Sequence, residues 1–450
     1  MEPHAGHHTV AYRSATSQSR RLYEAALQVL PGGNTRHSIA LNPYPIYVRS
    51  GHGCRVTDVD GEERIDFINN FTSNILGHAD PDVTQAVRQQ LERGTAFSMP
   101  TPSEIDLASL LVERVSYIDQ IRFCNSGSEA VMIAIRAARA FTGRPKIAKV
   151  EGAYHGMYDY AQTSEAPAPD LWGSRDAPEC VVESGCVDKI REDVVILPWN
   201  NADACLRLIE KHRNDLAAVI VDPLPMRLGL ILPRPGFLQQ LREATRARDI
   251  LLISDEVLTF RLAYHGAMHE STIQPDLTTF GKIIGGGFPV GAVGGKSAVM
   301  AVFDHTRDGK VHHAGTFNAN PVTMCAGWAT MKKMTPETFA RLDDMGQYIR
   351  RQLTRMLEQR GTPAQVLGKG SLFAVHLTGR ELVDYRSLVE ASRGKAFMTE
   401  LCHQMLGRGI VISKERLFGC LSTPMTHYEL DAFVEGLDRS LEALAPESKG

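Results

Sequence analysis

No stretch of this chain stays apolar for the roughly 20 residues that a membrane-spanning helix requires. Charge of one sign is also missing. The formal net charge is −3 in 450 residues, which gives no electrostatic basis for holding nucleic acid or an anionic membrane. The eight cysteines form no Cys-x-x-Cys pair, so they read as reduced thiols rather than a disulfide framework or a zinc site. No low-complexity tract and no repeat of about 20–50 residues occurs, which excludes a solenoid. The segment 1–21 is polar and lacks a signal-type apolar run, so a cytoplasmic protein is expected. His4, His7 and His8 could hold a stray metal ion but read better as part of an unstructured leader, and no metal is expected. What remains, 43% hydrophobic and 22% charged residues, is the composition of a soluble globular protein.

Short apolar runs alternate with helical patterns from about Asp80 to Met300. That alternation predicts an α/β fold with a mostly parallel sheet and crossover helices. The candidate strands are Gln120–Phe123, Lys146–Val150, Ala217–Val221, Ile250–Ile253 and Leu277–Phe280, with helices such as Glu129–Phe141 and Gly236–Asp249 between them. Their continuous apolar character suits strands buried on both faces. Beyond about Thr323 the pattern changes to a long amphipathic helix (Thr335–Arg360), strand-like runs at Leu372–Leu377 and Ile410–Ile412, and a closing helix, Thr426–Ala443. The expected organisation is a large domain over 71–322 and a small α+β domain over 323–450, with residues 1–70 packing on the small one.

Each candidate strand runs into residues with chemical capability. Asn125-Ser126-Gly127-Ser128-Glu129 follows the first, Gly152-Ala153-Tyr154-His155-Gly156 the second, and Asp222-Pro223 the third. Asp255-Glu256-Val257 and Lys282 follow the last two. Open parallel sheets bind ligands at the carboxyl ends of their strands, so five such ends define a site. Singly, each has a plain structural reading. Ser126 and Glu129 fit a capping box, Tyr154 and His155 a surface loop, Asp255 a turn, and Lys282 an exposed loop lysine. The Ser-Gly-Ser turn also offers helix N-terminal N–H groups to a phosphate. Gly315-Thr316 offers a second such contact, a backbone N–H and a hydroxyl. Tyr154 offers a flat face to a pyridine ring, and His155 beside it is a further candidate cofactor-binding residue. Lys282 and Asp255 together are what pyridoxal 5′-phosphate (PLP) chemistry needs: an amine to hold the aldehyde as a Schiff base, and a buried carboxylate for the ring nitrogen.

These strings resemble the class III (fold type I) PLP-dependent aminotransferases, from Pro31-Gly32-Gly33 to about Leu444. Two branches are most similar. Gly281-Lys282-Ile283-Ile284-Gly285-Gly286-Gly287-Phe288-Pro289 resembles glutamate-1-semialdehyde aminomutase, and Asp255-Glu256-Val257-Leu258-Thr259 running into Arg261-Leu262-Ala263 and His265-Gly266 resembles the β-amino-acid (β-phenylalanine-type) aminotransferases. The resemblance implies that Lys282 is the Schiff-base lysine and proton shuttle, that Asp255 pairs with the pyridinium, and that Val257 lies on the ring face opposite Tyr154. It further implies that Ser126, Gly127 and Ser128 hold the phosphate. Thr316 would reach the phosphate of a neighbouring subunit, so a homodimer with shared active sites is implied. The reaction implied is transfer of an amino group from a donor amino acid to the cofactor and then to an oxo acid.

Substrate choice turns on cations for a carboxylate, for which arginine is the preferred bidentate partner. Arg36 and Arg416 match pocket positions of the β-amino-acid branch, and the plain alternative is that both are surface arginines. Where relatives read Glu-Pro and then a polar stretch, this chain has Asp222-Pro223-Leu224-Pro225-Met226-Arg227. Asp222 is one methylene shorter than the Glu and Pro225 lacks an N–H, which puts in question the carboxylate partner of a mobile arginine and polar contacts near the cofactor hydroxyl, and makes Arg227 a candidate third carboxylate ligand. Phe71 stands where aminomutases carry Trp, and Met157–Cys186 does not resemble their gating loop. The expectation is therefore an aminotransferase acting on a β- or ω-amino acid. An aminomutase, a racemase or decarboxylase on the same scaffold, and a non-catalytic PLP-binding sensor are the alternatives.

Overall fold

A computed structural model describes residues 12–307, 309, 311–413 and 416–445; His4, His7 and His8 lie outside them. The strands, in chain order, are β1 (Val48–His52), β2 (Arg55–Asp58), β3 (Glu63–Asp66), β4 (Gln120–Cys124), β5 (Lys146–Val150), β6 (Val194–Leu197) and β7 (Leu216–Val221). They continue with β8 (Leu251–Asp255), β9 (Leu277–Gly281), β10 (Gly291–Gly295), β11 (Gln365–Leu367), β12 (Leu372–His376), β13 (Ile410–Val411) and β14 (Leu417–Cys420). The helices needed below are α1 (Gly127–Thr142), α2 (Phe237–Arg246), α3 (Pro336–Gln359), α4 (Tyr385–Glu390) and α5 (His427–Ala443).

Seven strands form one sheet in the order β4-β10-β9-β8-β7-β5-β6. Pairings among β9, β8, β7, β5 and β6 are parallel, while β10 runs antiparallel to both β4 and β9. Every residue of β7, Leu-Ala-Ala-Val-Ile-Val, is buried, as a strand covered on both faces must be. Helix α1 lays Ala130, Ala134, Ala137 and Ala138 against the sheet core, where small side chains permit close approach. The strands β6 and β10 were not anticipated. β10 is Gly-Ala-Val-Gly-Gly, and glycine ordinarily argues against a strand. The structure shows why it is tolerated at Gly291: a Cβ there would lie 1.9 Å from the Ser126 carbonyl oxygen. The turn before α1 thus crosses directly over β10.

The chain divides into two units. One holds the seven-stranded sheet and comprises Pro81–Ala340 together with Glu381–Glu390. The other comprises the described residues within Met1–Asp80, Arg341–Arg380 and Ala391–Gly450. It carries two small sheets, β1-β2-β3-β13 and β11-β12-β14. Phe67, Phe373 and Phe433 meet edge-on in its core, with centroids 4.7–6.1 Å apart. The long pattern at 335–360 forms α3, and Thr426 caps α5 through a reciprocal capping box with Glu429. Among the described residues no helix is long and apolar enough to cross a membrane.

Candidate active site

The carboxyl ends of β5, β7, β8 and β9 lie side by side at one edge of the sheet, that of β4 points the same way across the antiparallel β10, and the loops leaving them interlock. Ser126 is the N-cap of α1: its hydroxyl accepts the Glu129 N–H at 3.1 Å. The Glu129 carboxylate accepts the Asn125 N–H, one residue before the N-cap. The Gly127 and Ser128 N–H groups at this helix start have no partner within the helix, and such groups suit an anion. The loop after β5 leans on the same turn: the Met157 N–H donates to Ser128 Oγ at 3.0 Å, and a Cβ on Gly156 would sit 2.5 Å from that oxygen. Val257 fills the space between two glycines. A Cβ on Gly127 would approach it to 2.8 Å and one on Gly281 to 3.2 Å.

Asp255, 5% exposed, is surrounded by donors. Its carboxylate accepts from Thr279 Oγ1 at 2.9 Å and from the Val257 N–H at 3.1 Å, and lies 2.7 Å from His155 Nδ1. His155 is buried rather than on the surface. Burial depresses its pKa below the ordinary histidine value, with Asp255 pulling the other way. A neutral imidazole that donates Nδ1–H to Asp255 satisfies both, and leaves Nε2 buried without a hydrogen-bond partner among the described residues. Lys282, half-buried, opens a short 3-10 turn at φ +50°, a left-handed conformation that a non-glycine residue rarely adopts. Such strain concentrates at functional positions, where the surroundings impose it.

Asp222 follows Val221, which pairs with Ser254, so it occupies the register position beside Asp255. Its Oδ1 accepts the Leu224 N–H at 2.9 Å. Burial, and then the neighbouring Asp255 carboxylate, raise its pKa well above the ordinary carboxylate range. The carboxylate that the structure gives Arg227 is Glu165, and the Arg227 guanidinium carbon lies 6.0 Å from the Tyr154 ring centre. Tyr154 is 43% exposed, and Thr316 is exposed.

Arg36, Phe71 and Arg416 belong to the other unit. There, Asn69, Asn70, Phe71 and Thr72 form a left-handed turn with φ between 47° and 77°. Asp66 Oδ1 accepts the Ile68 and Asn69 N–H groups, and Asn69 Nδ2 donates to the Cys420 carbonyl at 2.9 Å. Arg36 is exposed, donates to Asn70 Oδ1 at 2.9 Å and lies 6.0 Å from the Phe71 ring centre. Arg416 is half-buried and immediately precedes β14.

A family profile described as Aminotransferase class-III matches residues 38–423. The chain belongs to the class-III aminotransferases. It is 50% identical to an omega-transaminase from Sphaerobacter thermophilus, covering 96% of this chain and 99% of that one at a TM-score of 0.93. It is 34% identical to a beta-phenylalanine aminotransferase from Variovorax paradoxus, with 96% of each chain covered and a TM-score of 0.87. It is also 39% identical to a glutamate-1-semialdehyde 2,1-aminomutase of Methanothermobacter thermautotrophicus, over 95% of this chain and 99% of that protein. PLP is the cofactor of this class-III aminotransferase, and the protein is an enzyme. The residues present fit that group. A backbone cradle with no room for a Cβ at Gly127, a buried carboxylate with its own donors, and an orphaned imidazole nitrogen converge with an amine on a strained turn.

Thr279 and Glu165 were not recognised from sequence as site residues. Thr279 had a readable signal, because parallel register on β9 sets it opposite Asp255. Glu165 had none: it lies 62 residues from Arg227, in an irregular stretch.

Proposed function

We propose that this class-III aminotransferase takes its amino group from a β- or ω-amino acid and passes it to a 2-oxo acid, as a homodimer. The observation that carries the reading is the 50% identity over 96% of the chain to a solved omega-transaminase, against 39% to the aminomutase relative. The exposed Thr316 supports the dimer, since a hydroxyl turned outward suits a contact with a second subunit. A cytoplasmic location goes with this reading.

When bound, PLP supplies an aldehyde for amino-group exchange and a ring that accepts electrons. Lys282 holds the aldehyde and moves the proton at the substrate carbon. Asp255 faces the ring nitrogen, oriented by Thr279 Oγ1 and His155. Gly127 and Ser128 bind the phosphate, with Ser126 capping the helix that presents them, and Val257 and Tyr154 bracket the ring. Arg36 and Arg416 receive the substrate carboxylate, and Phe71 shapes the pocket beside Arg36.

The test is the donor half-reaction, followed as loss of the visible absorbance of the bound cofactor without any acceptor. β-Phenylalanine, β-alanine, glutamate, alanine, a simple arylamine and diaminovalerate are compared. Loss with the β-amino acids and not with simple amines is expected. Loss with diaminovalerate alone would establish the second reading, an aminomutase, which the 39% identity to that relative favours.

The Glu165 pairing extends the substrate reading. Arg227, released from Glu165, is the cation for a second carboxylate. Arg227→Ala is expected to raise KM for glutamate by about tenfold or more, the equivalent of a charged hydrogen bond of ~1.5–3 kcal/mol, and to leave amines without a second carboxylate unaffected. Equal effects on both substrate types would sink this assignment.

A further inference from the structure

The ten-residue segment Glu381–Glu390 clusters with the sheet unit although the chain on either side of it belongs to the other unit. Two side chains of α4 account for that. Arg386, 4% exposed, engages Glu151, the first residue after β5, through Nε at 2.9 Å and Nη2 at 3.0 Å. The same guanidinium donates to the carbonyls of Trp172 (2.6 Å), Gly173 (3.0 Å) and Ser174 (3.1 Å), and lies 5.4 Å from the Trp172 ring centre. Tyr385 covers Gly152, whose φ is +76° and where a Cβ would lie 2.2 Å from the tyrosine ring, and its hydroxyl donates to the Pro167 carbonyl at 3.2 Å.

We propose that Arg386, assisted by Tyr385, is a positioning residue for the active site: it clasps the loop after β5 and thereby holds Tyr154 and His155 in place. The mechanical path is short. Glu151 and Gly152 are clasped, the Ala153 carbonyl accepts from buried Lys149 Nζ at 2.9 Å, His155 meets Asp255, and Met157 meets Ser128. Residues 152–157 form neither helix nor strand, so their order depends on contacts from outside the loop. The forked guanidinium can tie one carboxylate and three carbonyls at once, which a lysine cannot. The Trp172–Ser174 backbone is fixed by the same group, which makes that part of the Met157–Cys186 segment an anchored one. The inference rests on the reading of Tyr154 and His155 as cofactor-facing residues.

Breaking a buried pair by removing one partner destabilises through the stranded charge, whereas replacing both by apolar residues of similar size is often neutral. The test therefore compares Arg386→Met, the paired Glu151→Met/Arg386→Met and Arg386→Lys with the wild-type holoenzyme. Thermal unfolding, the visible spectrum and retention of the cofactor, kcat and KM are measured, with hydrogen exchange over residues 151–165 of the full-length protein before and after cofactor loading. The paired variant is expected to unfold near the wild-type temperature. It should nonetheless exchange faster over 152–157, bind the cofactor more weakly with a displaced absorbance, and lose up to about 10²-fold in kcat with little change in KM. Arg386→Lys should show the same changes in smaller measure, and it decides the matter if the paired variant does not fold. Wild-type exchange, spectrum and kcat in a folded variant would overturn the proposal and leave the pair a packing device. His155→Ala and Tyr154→Ala serve as references. If both leave spectrum and retention unchanged, the cofactor-facing reading fails, while the exchange data still report on the clasp.

Discussion

Lys282→Ala is expected to cut kcat by roughly 10²–10⁴-fold, the range that a positioned proton-transferring side chain commands. The cofactor should then leave on gel filtration, because the Schiff base proposed to hold it cannot form. The physical argument starts from the backbone. Lys282 sits at φ +50° between Gly281 and a buried turn, and an unstrained lysine would not adopt that conformation. Alanine at the same φ carries the same strain, so the variant should melt within a few degrees of the cofactor-free wild type. Loss of activity with unchanged melting assigns Lys282 to the chemistry. A kcat near that of the wild type would remove it from the mechanism altogether. Lys282→Gly adds a control for strain: glycine accepts positive φ, so it should be the more stable of the two variants while remaining as inactive.

Substitution of Asp255 should produce the second large effect, and two replacements separate its causes. Asp255→Ala strands the Thr279 hydroxyl, the Val257 N–H and the His155 Nδ1–H without their acceptor. Each buried, unsatisfied donor costs about 1–3 kcal/mol, so this variant should lose stability and cofactor together. Asp255→Asn keeps the shape and one acceptor oxygen but removes the charge. It should fold nearly as the wild type does, retain the cofactor partly, and lose roughly 10²–10³-fold in kcat, as when a preorganised electrostatic partner is removed. Differential scanning calorimetry and steady-state kinetics on the two variants check this. If Asp255→Asn keeps wild-type kcat, the charge of Asp255 has no part in turnover.

Much of the large unit was legible because its signals are local. The run Lys146–Val150 forms β5 with the bounds read from sequence, and the Ser126–Glu129 capping pattern begins α1. The motif strings around Asp255 and Lys282 carried the family. Where reading failed, the information was not in neighbouring residues. The glycine-rich β10 made no strand signal, because its glycines answer to close approaches from elsewhere in the chain: the Ser126 carbonyl at Gly291, Ile118 at Gly294 and the Asp276 carbonyl at Gly295. His155 stood among the expected cofactor-site residues, but its partner Asp255, 100 residues away, could not be read from the sequence.

From its residues alone, then, this protein is a class-III aminotransferase using PLP, and the lysine, carboxylate and phosphate turn proposed for its site lie in the same short strings. Those groups are set by short strings in which spacing along one chain segment is also spacing in space. Tertiary structure alone decided that His155 and Thr279 orient Asp255, that Asp222 is buried beside Asp255, that Glu165 is a partner of Arg227 and that Arg386 ties down Glu151. The reason is physical. Burial, strand register and close approach between distant segments set protonation states and hydrogen-bond partners, and none of these is a property of a sequence window.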